Sequence, residues 1–322
     1  MMKLALIALP SEIRVFARCL SRIREIDWVG FGGYACTVPY ISLGQGPESE
    51  KKVRYYASVD KLTDAADVLL VAGRQEDRFR YVSKALRKGK PVWAIGPVGR
   101  TWEETAKLAS LAQEACVCNQ AAHLARESGL VQAVLPYMTG VRLVRAEAFC
   151  PPFSRLNADW ENRLLFPAFD RLLAVSGSSV RKTRVRSTAC MGYAQAGAVV
   201  DMEFMSGAEA FLWVNRVAER HRFYVAAMSP IRITGMDFLS GKIELREVPP
   251  AADGSAYISR SGPCRVPVNS FFPEIKPVRP LLNSIQAFVD AVSAGSRSRF
   301  GFLQSSEVQE RFTQLKRMLY AS

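Results

Sequence analysis

The first half of the chain alternates short apolar runs with stretches of helical spacing. Leu4, Ala5, Leu6, Ile7 and Ala8 form an unbroken apolar run, the pattern of a strand buried on both faces. Ser11 is placed to cap a following helix, whose apolar face is Ile13, Phe16, Ala17, Leu20 and Ile23. Residues 28–31 read as a second strand ending at Gly32 and Gly33, and 34–50 as a looser stretch with glycine and proline. A third strand is expected over 68–72, a helix over 76–88 closed by Gly89, and a fourth strand over 91–95. Thr101 and Glu104 form a capping box that opens the next helix. A fifth strand over 116–118 and a helix over 121–138 lead to Gly140. This rhythm predicts an α/β fold with a Rossmann-like, doubly wound parallel sheet.

The second half changes pattern. After a helix over 160–174 come strand-like segments at 180–190, 196–205, 208–217, 223–233 and 242–248, a succession that predicts a mostly antiparallel sheet. Two helices close the chain. Leu281, Ile285, Phe288, Val289 and Val292 line one face of the first, with Gly295 as its C-cap, and a capping box at Ser306 starts the second. The expected division is 1–139 for the Rossmann-like domain and 140–322 for the α/β sheet domain, closing helices included.

Composition adds limits. The 322 residues suffice for two domains, and 49% hydrophobic with 23% charged residues is the balance of a soluble globular protein. No apolar run reaches the roughly 18 residues of a membrane span. The apolar N-terminus lacks a small-residue cleavage site, so a buried strand is expected there rather than a signal peptide. The seven cysteines form no CxxC pair, and Cys116 and Cys118 stand too close for a zinc knuckle. Scattered thiols of this kind suit the reducing cytoplasm. The net charge of +13 points either to a solvated surface or to an anionic partner. Arg74, Arg78, Arg80, Lys84, Arg87, Lys88, Lys90 and Arg100 are the densest basic group, and no nucleic-acid motif accompanies them, so nucleic acid is not the expected partner.

One stretch carries a family resemblance. It comprises 55–62 with Ser58 and Leu62, 66–72 with Asp67 and Val68, and then Ala85, Leu86, Gly89, Lys90 and Val92. Gly96, Pro97, Thr101 and Glu104 follow at the spacing of the same family, and 288–292 and 319–322 are similar to its last two helices. The chain thus resembles the Gfo/Idh/MocA (glucose-fructose oxidoreductase/inositol dehydrogenase) family of NAD(P)-dependent oxidoreductases. The resemblance implies a Rossmann domain, a second domain with a large open sheet, assembly through that sheet, and hydride transfer between a nicotinamide and a sugar-like alcohol.

The positions equivalent to the family's cofactor contacts are Ala8, Pro10, Ser11, Tyr34, Gly73, Arg74, Arg78, Gly96 and Pro97. Where the family has its glycine-rich turn, Pro10 replaces the second glycine and removes a donor, and Glu12 brings a carboxylate to the helix N-terminus where a phosphate would sit. The second strand ends without a carboxylate for the ribose, and Tyr34 is the nearest polar group. Gly73 and Arg74 stand at the family's Thr-Pro, and Arg78 at its histidine. Arg74 is the best anion-binding candidate, against a surface arginine paired with Glu76 or Asp77. Gly96 stands at the lysine that holds the substrate hydroxyl, and Lys90 lies at the far end of that strand. In the second domain Pro167 stands at the catalytic histidine and Asp170 at the final aspartate, where it reads as a helix-surface or ion-pair residue. His123 is expected in a helix near Cys118.

These departures predict a homologue that binds an anionic small molecule or a protein partner rather than one that transfers hydride, with no cofactor. It would self-associate through the sheet. Two alternatives stay open. One is an active oxidoreductase that uses NAD or NADP on a sugar-like alcohol, built around Arg74, Tyr34 and Asp170. The other is a scaffold or oligomerisation subunit.

Overall fold

Apolar runs and helical stripes meet in two compact units. The structure is a computed structural model and describes residues 1–43, 51–247, 269–271 and 279–321. Along the chain, β1 (Met2–Ile7), α1 (Pro10–Leu20), β2 (Ile26–Gly32), β3 (Tyr40–Leu43), β4 (Lys51–Tyr56) and α2 (Val59–Asp64) come first. Then follow β5 (Val68–Val71), α3 (Gln75–Arg87), β6 (Val92–Ile95), α4 (Trp102–Glu114) and β7 (Asn119–Ala122). The strands assemble in the order β3-β4-β2-β1-β5-β6-β7, all neighbours parallel except β3 with β4. Helices pack on both faces: Ile13, Phe16 and Leu20 of α1 bury against one, and Val82, Ala85 and Leu86 of α3 against the other. This is the doubly wound, Rossmann-like sheet that the pattern predicts.

The rest of the chain runs through α5 (Gly129–Val134), β8 (Leu143–Phe149), α6 (Phe166–Ser176), β9 (Val180–Cys190), β10 (Tyr193–Phe204) and β11 (Glu209–Asn215). It continues with β12 (Arg222–Met228), β13 (Arg232–Asp237), β14 (Lys242–Glu247), β15 (Asn269–Phe271), α7 (Pro280–Ser293) and α8 (Phe302–Ala321). The second sheet has the order β15-β14-β13-β12-β8-β11-β10-β9 and is antiparallel except where β8 meets β11. Alternate residues of β10, from Ala196 through Ala198, Val200 and Met202 to Phe204, are buried. The intervening Val199, Asp201 and Glu203 stand on the opposite face, opposite Arg186, Arg184 and Lys182 of β9. No helix among the described residues is long and apolar enough to cross a membrane.

Several local expectations are corrected. The helix after β1 starts at Pro10 with Leu9 as its N-cap, so Ser11 lies inside it and caps nothing. The strand expected over 116–118 forms at Asn119–Ala122, and the helix expected over 121–138 shrinks to α5 and a short 3-10 turn. The segment 223–233 divides into β12 and the start of β13, joined by a tight turn at Ser229 and Arg232. Strand β8 was not anticipated. The last helix starts at Phe302, with the Ser306 hydroxyl donating to Leu303 O inside it.

The division of the chain also differs. One unit contains Met1–Glu127 and Arg279–Thr313, and the other Ser128–Val278 and Gln314–Ser322. α7 and the first part of α8 belong to the first unit, where the apolar face of α7 is needed. Ile285, Phe288 and Val289 of α7 are fully buried against the sheet, each burial contributing about 1.5–3 kcal/mol. Trp93 Nε1 donates to Ser284 Oγ at 3.0 Å, and Gln309 of α8 donates to Gly99 O at 2.9 Å.

Candidate functional site

The order of the first sheet reverses between β1 and β5: from β1 the chain winds outward through β2, and it resumes on the other side at β5. Open α/β sheets bind ligands outside the carboxyl ends of their strands at such a point. The turns after β1 and β5 line it, together with Tyr34 beyond β2.

At the end of β1, Ala8 is buried, Pro10 and Ser11 are exposed, and Glu12 is half-buried. The Glu12 carboxylate accepts the Leu9 amide at 2.9 Å and the Gly73 amide at 3.0 Å, both on Oε2. Gly73 has φ +75°, and a Cβ there would lie 2.5 Å from the Tyr34 ring, so only glycine fits. The Tyr34 hydroxyl accepts the Arg74 amide at 2.9 Å. Burial pushes the Tyr34 phenol up to about 12, with Asp77 adding to the rise and the Arg74 amide opposing it.

The Arg78 guanidinium is bonded to main-chain carbonyls. Its Nε and Nη2 donate to Gly73 O at 3.2 and 2.8 Å, and Nη1 donates to Ile95 O at 3.2 Å and Pro97 O at 2.9 Å. Burial lowers its pKa, and the Glu12 carboxylate is foremost among the charges that oppose this. The guanidinium ties the β5 turn to the end of β6. Arg74 is exposed, and among the described residues no ion pair joins its guanidinium to Glu76 or Asp77. Part of the basic helix is neutralised, since Lys84 pairs with Asp60 at 2.6 Å and Lys88 with Asp64 at 2.7 Å.

At the end of β6, Gly96 donates to Ala122 O at 3.0 Å. A Cβ on Gly96 would lie 2.3 Å from His123 Cδ2. His123 is 4% exposed, its Nε2 lies 2.9 Å from Ser305 Oγ, and its ring centroid is 4.7 Å from that of Phe300. His123 thus sits at the end of β7 rather than in a helix, with Ser305 beside its Nε2. The displaced strand hid this contact from the sequence.

Known structures share this architecture. UDP-N-acetylglucosamine 3-dehydrogenase GnnA from Acidithiobacillus ferrooxidans superimposes with a TM-score of 0.79 at 18% identity, over 99% of this chain and 98% of that one. Levoglucosan dehydrogenase in complex with NADH and L-sorbose gives 0.75 at 11%, over 99% and 97%. The dehydrogenase MviM from Clostridium difficile gives 0.73 at 10%, over 98% and 99%. The chain has the fold of these dehydrogenases. It is the architecture that the Gfo/Idh/MocA resemblance implied. No protein-family model and no curated protein sequence matches the chain.

Within this dehydrogenase fold, Pro167 lies in the first turn of α6 and Asp170 on the same helix, both in the second unit. Asp170 is fully buried, which corrects the surface reading. Its neighbour Arg171 stacks on Phe238 with 4.3 Å to the ring centroid, and burial brings its pKa down to about 10. Among the described residues no group of three His, Cys, Asp or Glu side chains could hold a metal ion.

Proposed function

We propose that the chain is a divergent Gfo/Idh/MocA homologue that no longer transfers hydride and works by binding an anionic small molecule or a protein partner. One observation carries this reading. Gly96 supplies no side chain where the resembled family has its lysine, and the His123 imidazole fills the space in which one would begin. The imidazole is buried against Ser305, so it does not present a base to a substrate hydroxyl. Pro167, at the family's histidine position, carries no proton either.

The cofactor side agrees. A dinucleotide's pyrophosphate needs free amides at the strand ends, and those of Leu9, Gly73 and Arg74 already bond to the chain's own oxygens. The residues present do not fit NAD or NADP in the ordinary pose. With Arg78 committed to carbonyls, Arg74 is the remaining cation for an anionic ligand.

The test is direct. Purified protein is incubated with NAD or NADP and a panel of nucleotide sugars, anhydrosugars and inositols, and NADH is titrated by fluorescence. Absence of turnover and of micromolar NADH binding is expected, and either activity overturns the reading.

A second reading, a working NAD(P)-dependent oxidoreductase, is favoured by the likeness to a dehydrogenase solved with NADH and L-sorbose. It requires turnover that Arg74→Ala reduces. In either case we place the protein in the cytoplasm on its unpaired thiols, with a second copy across the open sheet. Exposed Trp213 lies edge-on to Phe149 there, and Glu147 between Arg145 and Arg222 adds paired charge.

A further inference from the structure

We propose that Glu12 is a built-in anion: its carboxylate takes the place that a pyrophosphate group has in nucleotide-binding sheets of this order, and it closes that site from within. The proposal rests on the reading that the chain holds no dinucleotide, and it names the group responsible.

A glutamate in the first turn of a helix commonly reaches back to the N-cap amide, and the bond from Leu9 to Glu12 needs no more than that. The second bond does. Gly73 lies 61 residues further along the chain, on the turn after β5, and its amide meets the same Oε2. Two amides from two different strand-to-helix turns therefore converge on one carboxylate oxygen. They do so where the strand order reverses, the position at which such sheets gather donors for an anion.

The surroundings fit an internal anion. Pro10, the first residue of α1, brings no amide of its own to the first turn. The Arg74 amide, next after Gly73, is taken by the Tyr34 hydroxyl. That ring lies against Gly73 so closely that no Cβ fits between them. The Arg78 guanidinium, bound to Gly73 O, adds a positive charge that interacts with the Glu12 carboxylate. A helix N-terminus stabilises one negative group, and a phosphate brought beside Glu12 meets like charge, with the Leu9 and Gly73 amides already bound to the carboxylate.

Thermal denaturation of the full chain in increasing inorganic pyrophosphate, with NADH in parallel, tests this. The wild type is expected not to respond. Glu12→Ala is expected to melt lower, because two amides lose their acceptor, and to recover with pyrophosphate in a saturable way, at least about tenfold more tightly than the wild type. Glu12→Gln keeps an acceptor oxygen without the charge. It is expected to melt close to the wild type while still gaining a pyrophosphate response, and it serves if the alanine variant does not fold. The proposal is overturned if neither variant responds more strongly than the wild type. That result, with the wild type silent towards NADH and sugars, leaves the non-catalytic reading standing. If instead the wild type oxidises a sugar with NAD or NADP, the non-catalytic reading and the closure by Glu12 fall together.

Discussion

Arg78 and Tyr34 show what single side chains do at the strand ends. The Arg78 guanidinium has no carboxylate among its hydrogen-bond partners and is satisfied by the carbonyls of Gly73, Ile95 and Pro97. Replacing it with methionine leaves those carbonyls without donors, so Arg78→Met should destabilise the protein by about 2–4 kcal/mol in urea denaturation. An unchanged midpoint would falsify the clamp. Tyr34 keeps its proton to higher pH than a surface phenol. Its folded-state value of about 12 exceeds the ordinary 10.0, so folding favours the neutral form. That contribution is complete below pH 10.0 and is lost as the pH rises through 12. Wild-type stability should therefore fall more steeply over this window than that of Tyr34→Phe, and parallel profiles would remove the effect. The residue types were legible in the sequence, as was the carboxylate at the helix start. Their partners were not, because each lies on a different strand-to-helix turn.

At the scale of elements, the clearest coupling is between the ends of β6 and β7. Gly96→Ala places a Cβ against the His123 ring. It should be destabilising alone, and His123→Ala should relieve it. A double-mutant cycle in urea should return a coupling of about 1–2 kcal/mol, and additive effects would dissociate the two residues. The β9–β10 hairpin offers a simpler case. Met191 and Gly192 at its tip both have positive φ, 51° and 81°. Met191→Asn should raise the denaturation midpoint by about 0.5–1 kcal/mol, since asparagine tolerates that region better. A lower midpoint would mean that the methionine side chain contributes a contact of its own. The elements that sequence misplaced have a common origin. Strand β7 reads Asn119, Gln120, Ala121 and Ala122, residues of little β character, and it is a strand because β6 pairs with it. Helix α8 starts at Phe302 because Asn119 Oδ1 of β7 accepts the Phe302 amide at 2.7 Å. A cap supplied from another element leaves no signal in the helix's own sequence, and the capping pattern at Ser306 misleads.

For the whole molecule, the open face of the second sheet is the surface to test. Trp213 is 41% exposed on it, beside strands that carry opposed charges. Trp213→Glu should shift the protein to a lower mass in sedimentation velocity without altering its far-ultraviolet circular dichroism. A wild type that is monomeric at high concentration would exclude assembly through this face.

The sequence by itself determined the apolar strands, the parallel character of the first sheet, the antiparallel character of the second, and the glycine and proline at the positions the resemblance aligns with the family's lysine and histidine. These are written in neighbouring residues, where periodicity and residue type suffice. Only the tertiary structure decided that Glu12 reaches Gly73, that Arg78 spends its charge on carbonyls, that His123 covers Gly96, and that α7 and the first part of α8 belong to the first unit. The reason is physical. A polar group's partner depends on which strand ends lie side by side, and that follows from sheet order, which joins residues far apart in the chain.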